Sequence, residues 1–261
     1  MEVLAGKHDM MATIKESKCI FKFDYSKVYW NSRLQTEHER ICKMFVETDW
    51  IADIFAGVGP FSIPAAKNAH CNVLANDLNP ESFKYLQSNS SFNKTDDLVS
   101  CFNMDGRQFI RSSVDLANDM GIREKMHKKA CEKILAANRK NGKNDAMPGL
   151  DTSFRYCTHY LMNLPKTALE FLDAFQGLFA GHESRISADK LPMIHCHLFS
   201  GEVDKKADAI KRAETCIGGE IAVATVHNVR NVSPRKDMMC VSFRLPASIA
   251  FHTLKRKTSV E

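Results

Sequence analysis

The sequence predicts an α/β protein with a doubly wound, mostly parallel sheet, and two observations carry this prediction. Short apolar segments alternate with segments of helical periodicity along most of the 261 residues, the order that places helices on both faces of a parallel sheet. One apolar segment is joined to a helix by the glycine turn Phe55-Ala-Gly-Val-Gly-Pro-Phe61. Gly57 and Gly59 carry no Cβ atom, so this turn lets the backbone approach a nucleotide-like ligand.

The predicted elements follow in order from the amino terminus. Alternation of apolar and polar residues at 18–30 predicts a half-exposed strand pair, and 34–47 predicts a helix. The further predicted strands are 50–55, 72–76, 98–104, 156–162 and 193–199, and the further predicted helices are 61–69, 80–93, 167–180 and 203–217. Residues 221–227 and 238–245 are predicted to form a closing hairpin around the turn at 233–236.

Acidic residues follow three successive predicted strands, at the edge where such sheets bind ligands. They are Asp53, Asp77, which stands about 20 residues beyond the glycine turn, and Asp105, which is followed by Gly106. Each acid alone is as typical of a turn or a helix cap as of a ligand site. An acid after the second of these strands, however, can accept hydrogen bonds from ribose hydroxyls. A nicotinamide cofactor favours a third glycine three residues after Gly59, and this chain has none there. The pattern therefore favours S-adenosylmethionine.

Composition limits the class of protein. A hydrophobic content of 44% is typical of a globular chain, and nine cysteines without a C-x-x-C pair argue against a disulfide framework or a cysteine zinc site. His195 and His197 share a strand face, but two ligands without a third predict core or rim residues, so no metal is predicted. No membrane span or targeting segment is predicted. The start at Met1-Glu-Val-Leu leads us to expect a missing upstream part.

A basic segment, predicted as an insertion at 111–152, interrupts the alternation of elements. Its first forty residues carry nine lysines and arginines against five acids, so most of the net charge of +5 lies there. Such a segment could contact a polyanion such as RNA. The alternative is a solvated surface helix with a flexible loop.

Several segments resemble the motifs of one known family. These segments are 55–61, Asn76-Asp-Leu-Asn-Pro80, Asn163-Leu-Pro165, the upstream Val28-Tyr-Trp-Asn-Ser-Arg-Leu-Gln-Thr-Glu-His-Glu-Arg-Ile41 and the terminal 226–245. Together they are similar to the tRNA (guanine-37) N1-methyltransferases of eukaryotes and archaea. The resemblance implies a class I methyltransferase fold, Rossmann-like, with an antiparallel C-terminal hairpin. It also implies a methyltransferase domain at 33–261, preceded at 1–32 by a small β module left from a larger substrate-holding domain.

The resemblance also assigns a cofactor site and a reaction. The expected reaction transfers a methyl group from S-adenosylmethionine to N1 of guanosine 37, next to the anticodon. Carried over by position, the expected cofactor contacts are His38, Asp77, Leu78, Asp105, Gly106 and Asn163, and Asp53 and Gly57 of the glycine-turn segment are expected to join them.

The chemistry of guanine N1 calls for further groups. N1 carries a proton, so a general base is needed, and Glu37 stands in the matching motif; its alternative is an ion pair with Arg40 on a surface helix. Charge that develops on guanine O6 needs a cation. The family's arginine for this task lies upstream of Glu2, which leaves Arg33 as the nearest candidate. Asn163 would hold the base edge and Pro165 would stiffen the loop.

Other functions remain open from the sequence. The loop Asn163-Leu-Pro-Lys166 differs from the Asn/Asp-Pro-Pro-Tyr loop of methyltransferases that act on exocyclic amines, which favours ring-nitrogen chemistry. One alternative is the related wybutosine-pathway enzyme, which transfers an aminocarboxypropyl group to tRNA; another is a catalytically weak fragment that binds RNA or S-adenosylmethionine. The family implies a monomer that binds tRNA with guanosine at position 37, in the cytoplasm, nucleus or mitochondrial matrix.

Overall fold

The computed structural model describes residues 9–141 and 149–253. Its strands are β1 (Met11–Glu16), β2 (Cys19–Asp24), β3 (Trp50–Asp53), β4 (Asn72–Asn76), β5 (Val99–Phe102), β6 (His159–Met162), β7 (Met193–Ser200), β8 (Ala224–Ser233) and β9 (Lys236–Arg244). Its α-helices are α1 (Gln35–Cys42), α2 (Ser62–Asn68), α3 (Pro80–Phe92), α4 (Gly106–Asn118), α5 (Met120–Asn141), α6 (Lys205–Ile217) and α7 (Ala247–Ala250). Shorter 3₁₀ helices lie at Ser32–Leu34, Ala168–Phe175 and Ala188–Lys190.

Seven of the strands form one sheet in the order β5-β4-β3-β6-β7-β9-β8. The first five of these run parallel, and β9 is antiparallel to both β7 and β8. The predicted doubly wound sheet with an antiparallel C-terminal hairpin is therefore confirmed. The order of strands reverses between β3 and β6, so the loops that follow these two strands diverge and leave a crevice at their carboxyl ends.

Both faces of the sheet are covered. On one face Leu74 and Tyr160 pack with Phe109 of α4 and with the 3₁₀ helix Ala168–Phe175. On the other face Ile51 and neighbouring strand residues pack against α1, α2 and α3. Strands covered on both faces are apolar throughout rather than alternating, which is why β3 and β4 can be recognised as short continuous apolar segments.

The first two strands form a separate antiparallel sheet that packs against the main domain through a small core. Phe21 and Phe23 of β2 are fully buried in a cluster with Val58 of the glycine turn and Ile63 of α2. We call residues 9–31 the N-terminal module. Its apolar contacts place it against the glycine turn.

Two asparagines of α3 hold the backbone of β2 to the main domain. Asn89 Oδ1 accepts a hydrogen bond from the Lys22 N–H at 2.8 Å. Asn93 Oδ1 accepts one from the Ile20 N–H at 2.9 Å, and the Asn93 amide donates to the Ile20 carbonyl at 2.7 Å. The edge of β2 that faces α3 is thus paired with side chains instead of another strand.

Two expected elements differ from those observed. The strand pair expected at 18–30 is a hairpin at 11–24, because Ser17 and Lys18 adopt positive φ values of 49° and 62° and form its turn. The helix expected at 167–180 is the 3₁₀ helix Ala168–Phe175.

The basic insertion expected at 111–152 begins inside a core helix. Helix α4 starts at Gly106 and buries Phe109, Ile110 and Val114 against the sheet. Its apolar face continues past residue 111, so the expected start of the insertion falls within this helix, and the boundary itself stays a prediction. Helix α5 forms most of the rest, and residues 142–148 of the expected insertion lie outside the described residues. Among the described helices, none is both long and apolar enough to cross a membrane.

Replacement of Asn93 tests how the N-terminal module is held. We expect Asn93→Ala to speed amide hydrogen exchange across 11–24 while exchange in β3, β4 and β6 stays unchanged, because the variant loses both hydrogen bonds to Ile20. Hydrogen exchange followed by mass spectrometry measures this. Asn118→Ala, which removes side-chain hydrogen bonds to Val114 and Arg155, is the matched control. Unchanged exchange at 11–24 in Asn93→Ala would contradict the expected role.

Candidate functional site

A cavity of about 520 Å³ opens at the carboxyl ends of β3 and β6. Its walls come from the end of the N-terminal module at 29–31, the glycine turn at 55–58, the loop at 163–166, and the ends of β7, β8 and β9. The volume is that of a site for a small organic ligand. The reversal of strand order has therefore produced a cavity where such sheets bind ligands.

The glycine turn is held open by the acid that follows β4. Gly57 has φ +56°, and an added Cβ would meet no atom within 4 Å, so its backbone faces free space. Its N–H donates to Asp77 Oδ2 at 2.8 Å, and the Asn79 N–H donates to Oδ1 at 2.9 Å. Burial raises the pKa of Asp77. The carboxylate retains lone pairs that can accept hydrogen bonds from a ligand's hydroxyl groups.

The loop after β6 presents an acceptor without a partner. Asn163 Oδ1 is buried and makes no hydrogen bond within the described part of the chain. A buried carbonyl of this kind is costly unless a donor reaches it. Asn163 and Pro165 both line the cavity. A ligand donor is the natural partner for this oxygen.

His38 also lines the cavity. It lies on α1 with 3% of its surface exposed, and its ring packs edge-on against Phe61 at 4.6 Å between centroids. Its Nδ1 lies 2.5 Å from Glu16 Oε1 of the N-terminal module. The structure thus brings four expected cofactor contacts, His38, Gly57, Asp77 and Asn163, to one space.

Glu37 lies outside the cavity wall and is tightly held. Arg40 donates to its two oxygens through Nε and one terminal nitrogen, each at 2.7 Å, and His197 Nε2 lies 2.7 Å from Oε1. Only 3% of Glu37 is exposed. Burial opposes ionisation, but the hydrogen bonds from Arg40 and His197 outweigh it and lower the pKa of Glu37 to about 2. The pair with Arg40 is present, yet in the interior and not on a surface helix.

His197 has the opposite shift. Although burial disfavours its charge, the nearby Cys240 sulfur and the Glu37 carboxylate raise the pKa of His197 to about 10. His195, two residues away, hydrogen-bonds with Ser242 and His159, and burial lowers its pKa to about 3. Both histidines are core residues.

One group of three side chains has the spacing of metal ligands. Ligand atoms of Glu37, His197 and Cys240 lie within 4.8 Å of one another. Arg40 already donates to both Glu37 oxygens, so a metal ion at this carboxylate would compete with the Arg40 cation.

Two expected residues support the glycine turn and α4 instead of lining the cavity. Asp53 is fully buried; its Oδ2 accepts from the Ser62 hydroxyl at 2.6 Å, and burial raises its pKa to about 7. Asp105 is the N-cap of α4 and accepts from the N–H groups of Arg107 and Gln108. Asp53 in particular has no surface with which to contact a ligand.

Three more expected residues lie off the cavity wall. A Cβ on Gly106 would lie 2.9 Å from the Phe171 ring, so this glycine permits close packing. Leu78 is 65% exposed. Arg33 is an exposed residue of the 3₁₀ helix before α1. None of the three is among the residues that line the described cavity.

Several residues that line the wall had no role predicted from the sequence. They are Phe199 of β7, and Arg230 and Met238 of the C-terminal hairpin formed by β8 and β9. Arg230 lies within the terminal segment noticed in the sequence, but its strand alternation alone does not indicate a ligand contact. Among the described residues, Arg230 and Lys166 are the arginine and lysine on the wall.

The fold and the cavity define the class of protein: an α/β domain of the class I methyltransferase type. A glycine turn after the first strand of the parallel sheet and an acid after the second face one cavity at the reversal of strand order. The model of the TRM5/TYW2 methyltransferase domain matches residues 12–146, and the chain belongs to this family.

Individual relatives agree with this assignment. A protein of Batrachochytrium dendrobatidis named tRNA (guanine(37)-N(1))-methyltransferase is 52% identical over 258 residues, which are 96% of this chain and 54% of that protein. The crystal structure of Trm5b from Pyrococcus abyssi has a TM-score of 0.62 at 28% identity, with 92% of this chain and 57% of that chain covered. The complex of aTrm5 with tRNALeu has a TM-score of 0.60 at 25% identity, covering 93% and 55%. The chain thus spans little more than half the length of these relatives.

The buried pair of Glu37 and His197 predicts a pH-dependent stability. The pKa of His197 is raised from 6.5 to about 10, so its stabilising effect is complete below pH 6.5 and is lost as the pH rises towards 10. The pKa of Glu37 is lowered from 4.5 to about 2, so its contribution is lost only as the pH falls from 4.5 towards 2.

We therefore expect His197→Gln to cost about 3 kcal/mol of unfolding free energy near pH 6. The difference from the unmodified chain should shrink by up to about 1 kcal/mol per pH unit above pH 6.5. Urea denaturation at several pH values measures both quantities, with the exposed His252→Gln as control. A difference that does not change with pH would show that His197 is not charged in the folded chain.

Proposed function

We propose that this chain is the methyl-transferring part of a tRNA methyltransferase that modifies N1 of guanosine 37 with S-adenosylmethionine as cofactor. The observation that carries the proposal is a single cavity in which the open backbone of Gly57, the carboxylate of Asp77 and the unpartnered carbonyl of Asn163 face the same space. The family assignment and the name of the Batrachochytrium relative support the same reaction and substrate.

The residues of the cavity fit this cofactor. Asp77 is placed to accept hydrogen bonds from ribose hydroxyls, Gly57 leaves room for close approach of the ligand, and Asn163 offers an acceptor to an amine. His38 would contact the cofactor through the ring edge that Glu16 does not occupy. When bound, S-adenosylmethionine supplies a methyl group attached to a positively charged sulfur. Loss of the methyl group turns this sulfur into a neutral thioether.

The proton on guanine N1 must be removed as the new bond forms. We keep Glu37 as the proposed base: its carboxylate takes the N1 proton while the N1 electron pair bonds to the methyl carbon. In the described conformation both of its oxygens accept from Arg40, so this step requires that one of its donors is displaced. A base of pKa about 2 is weak, and release from Arg40 or His197 would raise the pKa towards the usual value for glutamate.

The base edge and its developing charge need other groups. A target base of this kind leaves its stack to enter a cavity, where Asn163 is proposed to hold its pairing edge and Pro165 to stiffen the loop. As N1 loses its proton, negative charge moves to O6, where a cation stabilises it. Arg33 was expected for this role, but Arg230 reaches the cavity wall and Arg33 does not. We therefore propose Arg230 as the cation within this chain.

Further properties are proposed from the family resemblance. They are a monomeric state, binding of tRNA that carries guanosine at position 37, and a place in the cytoplasm, nucleus or mitochondrial matrix. The aminocarboxypropyl transfer of the wybutosine pathway is the competing reaction, and a fragment that binds without catalysis is the third outcome. This chain spans little more than half the length of its relatives, so the experiment below also measures whether it is active by itself.

The decisive experiment separates binding from reaction. Calorimetry with S-adenosylmethionine tests the cavity first, and we expect Asn163→Ala to weaken this binding. Single-turnover reaction with tRNA that carries guanosine 37 then tests the chemistry, with an adenosine-37 tRNA as control. Chromatography of the product nucleoside distinguishes methyl from aminocarboxypropyl transfer. Absence of cofactor binding would overturn the proposed function, whereas binding without turnover would identify an inactive part of a larger enzyme.

The assignment of the cation gives a separate prediction. We expect Arg230→Ala to slow single-turnover methylation by about 10²-fold, the usual effect of removing one donor to a developing oxyanion. Arg33→Ala should have a small effect, because that side chain lies off the cavity wall. Quench-flow rates at saturating cofactor, with calorimetry to confirm unchanged cofactor affinity, measure both variants. A larger loss of rate in Arg33→Ala than in Arg230→Ala would identify Arg33 as the cation that stabilises O6.

A further inference from the structure

A buried pair of titratable side chains connects the N-terminal module to the cavity. Glu16 is the last residue of β1, and its Oε1 lies 2.5 Å from Nδ1 of His38. Both side chains are 3% exposed. The chemistry proposed above makes no use of Glu16, although His38 lines the cavity.

The pair is better explained by function than by stability. A buried carboxylate is costly unless it is hydrogen-bonded, and His38 provides the hydrogen bond that the structure records for it. Replacement of a buried ion pair by apolar residues is often neutral or stabilising, so such a pair by itself is weak evidence for a stabilising role. The histidine of this pair lines a ligand cavity, so the pair can also serve to orient a ligand-binding side chain.

The geometry determines which edge of the imidazole the cavity receives. An ionised Glu16 can only accept a hydrogen bond, and with it the contact at 2.5 Å places a proton on Nδ1 of His38. The rings of Phe61 and Trp30 both stand edge-on to the imidazole, with centroids 4.6 and 6.3 Å from its own, and they limit its rotation. With Nδ1 directed to Glu16, Nε2 is the nitrogen left for the cavity. Carboxylates fix the tautomer and orientation of functional histidines in the same way elsewhere.

The module is also held in place by its own packing. Phe21 and Phe23 share a core with Val58 of the glycine turn, and Asn93 holds the backbone of Ile20. Glu16 therefore reaches His38 from a sheet that is attached on the cofactor side of the domain.

We propose that Glu16 is a positioning residue of the cofactor site: it fixes the Nδ1–H tautomer of His38 and thereby presents Nε2 to a polar group of the cofactor. This inference rests on the proposed function. It gives the small module, expected from the sequence to help hold the substrate, a direct part in cofactor binding.

The test measures binding and the state of His38 separately. The variant Glu16→Gln keeps the size of the side chain, but its amide can donate as well as accept, so it no longer selects a proton on Nδ1. We expect the dissociation constants of S-adenosylmethionine and S-adenosylhomocysteine, measured by calorimetry, to rise by about tenfold, the effect of losing one charge-assisted hydrogen bond. Glu39→Gln, on the same helix as His38, is the matched control and should bind as the unmodified chain does.

A double-mutant cycle distinguishes positioning from a general loss of structure. Glu16→Gln should weaken binding in the unmodified background and have little further effect in His38→Gln, because the residue acts through His38. Independent, additive effects of the two changes would contradict the proposal.

Nitrogen-15 NMR of the histidine rings reads the tautomer without any change to the pair, with His38→Gln providing the assignment. A proton on Nδ1 of His38 is expected, and an unprotonated Nδ1 in the unmodified chain would overturn the inference even if Glu16→Gln fails to fold.

The binding data distinguish failure of the proposed function from failure of the role proposed for Glu16. An unmodified chain that binds neither ligand contradicts the proposed function, whereas normal binding by Glu16→Gln contradicts only the role of Glu16.

Discussion

The reversal of strand order between β3 and β6 is the constraint on which the rest of the site depends. It separates the loops after these two strands and creates the cavity between them. The glycine turn on one side is then held by a hydrogen bond from Gly57 to Asp77 of the neighbouring strand end. On the other side, Asn163 faces the same space with an unpartnered oxygen. Backbone topology and two strand-end side chains thus define the cofactor cavity together.

Below this cavity the sheet carries polar groups where an apolar core would be usual. His195 and His197 of β7 lie beside Ser242 and Cys240 of β9, and Glu37 of α1 covers them. A charged residue buried here must be paired, which is why the pKa values of Glu37 and His197 move in opposite directions. The same pairing that makes Glu37 stable in the fold also makes it a weak base until a donor leaves. The Glu37 carboxylate must therefore be paired for the fold to be stable, and partly released for the proposed proton transfer.

The N-terminal module is continuous with the cofactor site. Phe21 and Phe23 share a core with the glycine turn, and Glu16 contacts His38 from the same small sheet. The domain boundary expected at residue 32 stays a prediction, but contacts across it are extensive on the side that faces the cavity. A rigid support for a cavity wall is a reasonable use of a two-stranded sheet, since an isolated hairpin is only marginally stable and gains its stability from packing.

Local patterns in the sequence were enough to predict the order of most strands and helices, the glycine turn, and the residues at the strand ends, because periodicity and turn chemistry are local. They did not predict helix α4, which lies partly within the expected basic insertion. Three residues expected as cofactor contacts, His38, Asp77 and Asn163, line one cavity, and their contact with a cofactor stays a prediction. The pairing of polar groups that are distant along the chain became visible only in the folded structure. Glu37 meets His197 across 160 residues of chain, Glu16 meets His38 across 22, and Asp53 is buried under the turn it was expected to share. Such contacts depend on strand register and on helix placement, which a local pattern does not encode.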